Sequence, residues 1–254
     1  MPPRTGRARA RSGTSTRRPR GSLSREEIIK GAFELVEAES VDELSMPRLG
    51  RHLGVGVTSI YWYFRSKEEL LVALTEEAAR RFNSMLPEFR EYPWDEHLRQ
   101  YFRAFRRIFI ENPALCDLVV LRAHMQSPQA LLHYFTRLDR EIGLLVEAGF
   151  PLDEAVHAYM TLSVYTRGCV LQHRLHSLAS RPPIDEERQL FAVIAERSSL
   201  PVMSKAYKYW NSSFATDLDF ETGLSIIIDG LRGRLARIRA SAEALPEHDR
   251  PALA

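Results

Sequence analysis

Apolar residues recur at three- and four-residue intervals along most of the 254-residue chain, beginning with Ile28, Ala32, Leu35 and Val36. That period puts them on one face of a helix, whereas a half-buried strand would alternate every second residue. "SREE", residues 24 to 27, precedes the first stripe and reads as a capping box. Ser24 accepts from a backbone N–H while Glu27 reaches back to the cap. This first helix ends near Glu39. Ser45 caps a short second helix carrying Met46, Leu49 and Leu53, which Gly54 ends. Pro47 falls in its first turn, where a missing N–H does no harm. A third helix is predicted from about Val57 to Phe64. "SKEE", residues 66 to 69, reads as a second capping box and opens a fourth helix through Leu70, Leu71, Leu74 and Ala78.

Beyond Pro87 to Pro93 the same period resumes in longer segments. The predicted spans are 94–111, 114–124, 128–148, 152–178, 187–209 and 217–239, with prolines at 113, 128, 151, 182, 183 and 201 as punctuation. Strand-like alternation and internal repeats are not found. The expected fold is all-α, with nine or ten helices. It comprises an N-terminal helix-turn-helix head of three helices, followed by a larger helical domain. The domains expected are a basic arm (1–21), the head (22–82), the helical domain (83–240) and a loose tail (241–254).

The third helix poses the functional question. "GVGVTSIYWYF", residues 54 to 64, places four rings in succession, and at roughly 100° per residue no single face buries them all. Val57, Ile60 and Phe64 share the inward face, with Ile60 and Phe64 against Leu49 and Leu53. Thr58, Ser59, Trp62 and Tyr63 face outward, and Tyr61 lies at the boundary. A short helix, a glycine turn and a second helix make a helix-turn-helix, whose second helix enters a DNA major groove. Tyrosine hydroxyls suit phosphate oxygens, and a threonine methyl suits that of thymine. The alternative is an outer face packed on another part of the chain.

Charge sharpens this picture. The net charge is +2, yet residues 1 to 21 hold seven arginines and no acid, leaving 28 basic residues against 33 acidic ones in the rest. A basic block rich in Gly, Ser, Pro and Thr is attracted to polyanions. Arg11, Arg17, Arg18 and Arg20, just before the first helix, either enter a narrow minor groove or bind phosphates alone. Two cysteines, Cys116 and Cys169, make no disulfide framework, and no apolar run approaches a membrane span. A cytoplasmic protein without a membrane partner is expected. Cys116 reads as a small core residue.

"LSMPRLGRHLGVGVTSIYWYFRSKEELLVAL", residues 44 to 74, resembles the DNA-binding segment of TetR-family transcriptional repressors. The Gly-Val turn, the aromatic run ending in Phe64 and the following Ser-Lys-Glu-Glu-Leu-Leu carry the likeness, which extends over residues 22 to 82. It implies groove contacts from Val57, Thr58 and Ser59. Tyr61, Tyr63 and Lys67 become phosphate contacts, with Trp62 outward beside them and Ser45 and Arg48 at the groove edge. Gly56 departs from the family's capping Ser or Thr, Val57 offers no hydrogen bond, and Pro47 excludes a side-chain donor. Direct readout therefore looks thin, which raises the value of the arm.

The resemblance further implies a homodimer on a double-stranded, pseudo-palindromic operator, released by a small, largely apolar effector, with no cofactor. "FETGLSIIIDGLRGRL", residues 220 to 235, is similar to the family's last helix. With 152–178 it is the candidate two-fold interface, through Leu224, Ile227, Ile228, Leu231 and Leu235, with Gly223, Gly230 and Gly233 allowing close approach. The alternative is an intrachain core stripe. The effector pocket would draw on Phe102, Phe105, Phe109, Met125, Tyr134, Tyr159 and Tyr165, with Arg122 and His124 at a polar end. The alternative there is plain core. Cys169, His173 and His176, at i, i+4 and i+7, raise a metal- or redox-responsive reading. Three ligands on one straight helix, however, converge poorly, and no metal site is assigned. A remote all-α enzyme reading lacks a phosphate loop, a nucleophile elbow or a two-histidine zinc motif.

Overall fold

A computed structural model describes residues 23–88, 91–122, 127–178, 189, 192–193, 200–206 and 216–244. Arg11, Arg17, Arg18, Arg20, His124, Met125, most of the predicted helix 187–209 and the end of the tail lie outside these residues. The described residues are helical and turn structure without strands, in two compact units, residues 1–70 and 71–254.

The first unit contains α1 (Arg25–Ala38), α2 (Met46–Leu53), α3 (Val57–Tyr61) and the start of α4 (Lys67–Met85). Ser24 and Glu27 form the reciprocal capping box, at 3.1 and 3.0 Å. Ser45 caps α2 through the Arg48 amide at 3.4 Å. "SKEE" departs from the expected box. Ser66 Oγ accepts from the Glu69 amide, but the Glu69 carboxylate takes the Arg65 amide at 2.8 Å, one residue earlier than the cap. Gly54 closes α2 at φ +67°, in the left-handed region where a side chain is strained. The core joins Ile28, Ala32 and Phe33 of α1 to Leu49 of α2, Ile60 of α3 and Phe64.

The second unit is built around α5 (Trp94–Glu111) and α8 (Leu152–Leu178), with α7 (Pro128–Glu147) on α8 and α10 (Asp217–Glu243) on both. The predicted helix 114–124 is instead a short α6 (Pro113–Leu115) running into a π-helical turn, Cys116–Val120. The buried carboxylate of Asp117 is gripped there by Arg174 of α8 in two bonds of 2.6 Å. Of the predicted 187–209 span, the described helix of more than two residues is α9 (Met203–Ala206).

α10 meets the rest of its unit through two kinds of contact. Leu224, Ile228 and Leu235 are buried within this one chain. That corrects the interface expectation for these three; Ile227 and Leu231 are half-buried. The stripe the sequence shows is the intrachain face, and the exposed face is turned away from it, with Ile226 68% exposed. Gly223 likewise serves the interior. A Cβ there would stand 2.1 Å from the Tyr165 hydroxyl, which donates to the carbonyls of Asp219 and Phe220 at 3.0 Å. Arginines supply the second contact: Arg103 on Glu221, Arg106 on Asp217 and Arg232 on Asp95 strap α10 to α5.

An aromatic cluster fills the centre. Phe82 stacks on Phe109 at 4.5 Å and meets Phe105 edge-on at 5.0 Å, while Phe102 lies 5.6 Å from Tyr159. All five rings are buried. Truncating one such ring leaves a cavity its neighbours fill only in part. Phe105→Ala is therefore expected to cost ~3–5 kcal/mol in urea unfolding.

Candidate nucleic-acid interface

α3 is shorter than its sequence period suggests. Five residues are helical, and then the Tyr63 and Phe64 amides both turn back to the Ile60 carbonyl at 2.9 Å. Ile60 and Phe64 are fully buried, as expected. The early ending rotates the rings relative to a continuous helix. Tyr61 is exposed at 48% and Trp62 at 81%, whereas Tyr63 turns inward and its hydroxyl donates to the Leu23 carbonyl. The placement of the two tyrosines is thus the reverse of the helical plot. Tyr61 is the more exposed of the two; Tyr63 has committed its proton to Leu23, the residue before the α1 cap. Trp62 packs edge-on against Tyr63 at 5.1 Å.

Thr58 and Ser59 are exposed and Val57 is half-buried. Gly56, the N-cap, is extended and makes no side-chain cap bond, so the first amides of α3 stay unfilled by side chains. Ser45 spends its hydroxyl on the Arg48 amide. The Arg48 guanidinium is bound by Glu39 at 2.6 Å and Glu43 at 2.9 Å, and Glu39 foremost raises its pKa. Lys67 Nζ reaches the Asp42 carbonyl at 3.5 Å, a bond at the limit of length. Thr58, Ser59, Tyr61 and Trp62 thus stand together on one outer surface of the head. Ser45, Arg48 and Lys67 have partners inside it.

In the second unit the described residues of the expected pocket are packed rather than open. Phe102, Phe105, Phe109 and Tyr159 belong to the buried cluster, and burial pushes the Tyr159 hydroxyl up to about 12. Tyr165 stacks on Phe220, Tyr134 lies under Arg167, and Arg122 donates to the Asp117 carbonyl. Two residues without a sequence role now stand out. His97 of α5 and Glu141 of α7, 2% and 1% exposed, meet at 2.6 Å. Among the described residues Glu141 Oε1 has no hydrogen-bond partner, and it lies 3.7 Å from Arg137. The Tyr101 and Tyr159 hydroxyls, 3.4 Å apart, lie in the same aromatic core. The available signal was a titratable residue on an apolar helix face: His97 beside Leu98 and Tyr101, and Glu141 four before Leu145. A groove of about 530 Å³ runs instead along the other side of α5, between Arg103, Arg107, Ile110 and Phe220.

Cys169, His173 and His176 share a face of α8, but among the described residues no group of three His, Cys, Asp or Glu side chains is arranged to hold a metal. The metal- and redox-responsive alternative gains no support. Cys116 is buried, and burial pushes its thiol up to about 11.

A short second helix held by a left-handed glycine turn, showing hydroxyls and rings outward, defines a DNA-binding protein of the helix-turn-helix class. Comparison with known proteins agrees. The bacterial regulatory proteins of the tetR family match residues 28–74, and the tetracyclin repressor-like C-terminal domain matches residues 86–235. An HTH-type transcriptional repressor of Mycobacterium tuberculosis is 40% identical over 240 residues, spanning 92% of this chain and 89% of that one. The class A tetracycline repressor of Escherichia coli is 28% identical over 214 residues, spanning 84% and 92%. Among solved structures, apo ActR of Streptomyces coelicolor matches with a TM-score of 0.66 at 25% identity, over 85% of this chain and 98% of that one. The chain belongs to the TetR family of transcriptional regulators. It is a DNA-binding regulator of transcription. Among the described residues no helix is long and apolar enough to cross a membrane.

The tyrosine geometry makes a prediction. Tyr63→Phe removes a bond inside the head and should lower its stability by about 1 kcal/mol. Tyr61→Phe should leave the melting temperature unchanged while weakening DNA binding, as read by calorimetry and by fluorescence anisotropy.

Proposed function

We propose that a homodimer of this chain represses transcription from a pseudo-palindromic operator and leaves it when a small, largely apolar effector binds the second unit. The observation that carries the DNA half is the outer face of α3, where Thr58, Ser59, Tyr61 and Trp62 are exposed over a buried Ile60. Val57, Thr58 and Ser59 meet base edges, Tyr61 and Lys67 meet phosphates, and Arg48 stands at the groove edge. Tyr63 positions the turn and contributes to phosphate contact only by exchanging its bond to Leu23. The arginines of residues 1–21 add affinity that depends on salt. Regulators of this kind are ordinarily not enzymes, and no cofactor is invoked.

For the effector, the buried polar seam is the support. The carboxylate of Glu141, beside His97 and 3.7 Å from Arg137, stands in an aromatic core with one oxygen lacking a hydrogen bond, and a buried polar atom left so is costly unless something uses it. The effector's apolar body takes the place of packed rings such as Phe102 and Phe105, and its polar end meets Glu141, His97 and the paired tyrosines. Reversing a two-state population needs about 10⁴-fold preference, near 5.5 kcal/mol, so the molecule is sizeable. The chain's relatives include tetracycline repressors, which fits an effector of that breadth.

A second copy covers the apolar residues that α8 and α10 leave outside. Met160, Val164, Leu175 and Leu178 recur at helical spacing on α8 and are 40%, 65%, 54% and 55% exposed, alongside Ile226 of α10. At Gly168 and Gly230 a Cβ would meet no atom within 4 Å, which leaves room for close approach.

Two experiments test these assignments. Sheared genomic DNA captured by the protein should yield a pseudo-palindromic footprint. Thr58→Ala should cost about 1–3 kcal/mol at particular base pairs of it, whereas Tyr61→Phe weakens every duplex alike. Footprints unmoved by both changes would take α3 out of the groove. Val164→Arg, on a side chain that supports nothing inside the chain, should give folded monomers by light scattering with poor operator binding. A variant that stays dimeric removes that face from the interface.

A further inference from the structure

The head of this DNA-binding protein is itself acidic. Residues 23–70 carry six lysines and arginines against nine aspartates and glutamates, a balance of −3. One of the six is Arg48 at the edge of the reading face, and its guanidinium is already occupied. Nη2 donates to Glu39 Oε1 at 2.6 Å and Nη1 to Glu43 Oε2 at 2.9 Å.

The arrangement is held from several directions. Glu39 closes α1, its amide bonded to the Leu35 carbonyl at 3.0 Å. The Glu43 amide is taken by Ser40 Oγ at 3.3 Å, and Ser45 Oγ takes the Arg48 amide at 3.4 Å. Both carboxylates therefore come from the short α1–α2 connection, and the backbone amide of each is pinned ahead of α2. Two carboxylates around one guanidinium leave a local charge of −1 where a bare arginine would give +1.

An arginine facing DNA ordinarily strengthens binding to every duplex, because phosphates are everywhere. Arg48 gains nothing on such a duplex until a phosphate displaces two carboxylates, which then face the same phosphates. We propose that Glu39 and Glu43 are specificity-determining residues that withhold Arg48 from non-specific DNA. A site that also engages α3 brings a phosphate close enough, for long enough, to compete for the guanidinium; random sequence does not. The clamp thus widens the gap between operator and background at the cost of absolute affinity. The inference rests on the reading of α2 and α3 as the DNA face, which Tyr61→Phe, measured alongside, tests by itself.

The test is a double-mutant cycle on the full-length chain. Affinity for a random-sequence duplex is measured by anisotropy across a salt series for wild type, Glu39→Gln/Glu43→Gln, Arg48→Ala and the triple variant. Removing the acids should tighten binding by roughly tenfold and steepen the salt slope by about one per head. In the Arg48→Ala background the same changes should give only the smaller gain that follows from lost repulsion. Equal gains in both backgrounds would show the acids acting at a distance and overturn the proposal. So would weaker binding at an unchanged melting temperature, because the acids would then be orienting Arg48 for DNA. Should the double variant melt early, Glu43→Gln alone, on a carboxylate 63% exposed, must show a smaller gain of the same Arg48 dependence. Its absence overturns the proposal equally.

Discussion

The burial of Ile60 is the constraint on which the outer face of α3 depends. A helix of five residues has no stability of its own, since nucleation alone is unfavourable and few bonds follow. α3 exists because Ile60 and, just past its end, Phe64 are sealed against α1 and α2, and because Gly54 lets the chain turn in a left-handed conformation. The hydroxyl of Tyr63 closes the far side by reaching the Leu23 carbonyl. Once these anchors are set, Thr58, Ser59, Tyr61 and Trp62 have nowhere to point but outward. The outer face of α3 is the remainder left by the surface that folds.

The larger unit follows a different logic, in which charge is used inside as well as outside. Arginines of α5 and α10 make a row of pairs that water reaches from at least one side, each of modest value there, although Arg106 itself is buried against an exposed Asp217. The pairs His97–Glu141 and Asp117–Arg174 are far more shielded. A buried pair of this kind gives little net stability, yet losing one partner is costly because the other is left charged. Such pairs therefore tie helices to one arrangement. His97–Glu141 links α5 to α7, and Asp117–Arg174 links the π-helical turn to α8.

Much of this was legible in the residues. The capping box at Ser24, the glycine turn and the spacing of Ile60 and Phe64 are local features, and local chemistry determines them. α5, α7 and α8 follow from their period for the same reason. Four things were not legible. The tyrosines exchange places where α3 stops after Tyr61, and Tyr63 there bonds to Leu23, forty residues away, a contact no local pattern reports. The Leu224–Leu235 stripe reads equally as an interface or a core, since periodicity reports that a face is buried and not by what. The aromatic residues expected to line a pocket pack on one another, because an apolar ring on a helix carries no mark of the space beside it. The Arg48 clamp lies in a connection between helices, where no period exists to be read.

The division of labour within α3 bears on how such a protein changes over generations. Ile60 carries the folding role, whereas Thr58 and Ser59 are exposed and take no part in the core. Substitutions at exposed positions of that kind ordinarily shift stability by no more than about 0.5 kcal/mol. New side chains can therefore be sampled at the two positions without threatening the fold that presents them. A duplicated copy could acquire a different target sequence in a few steps, each of them passing through a folded protein.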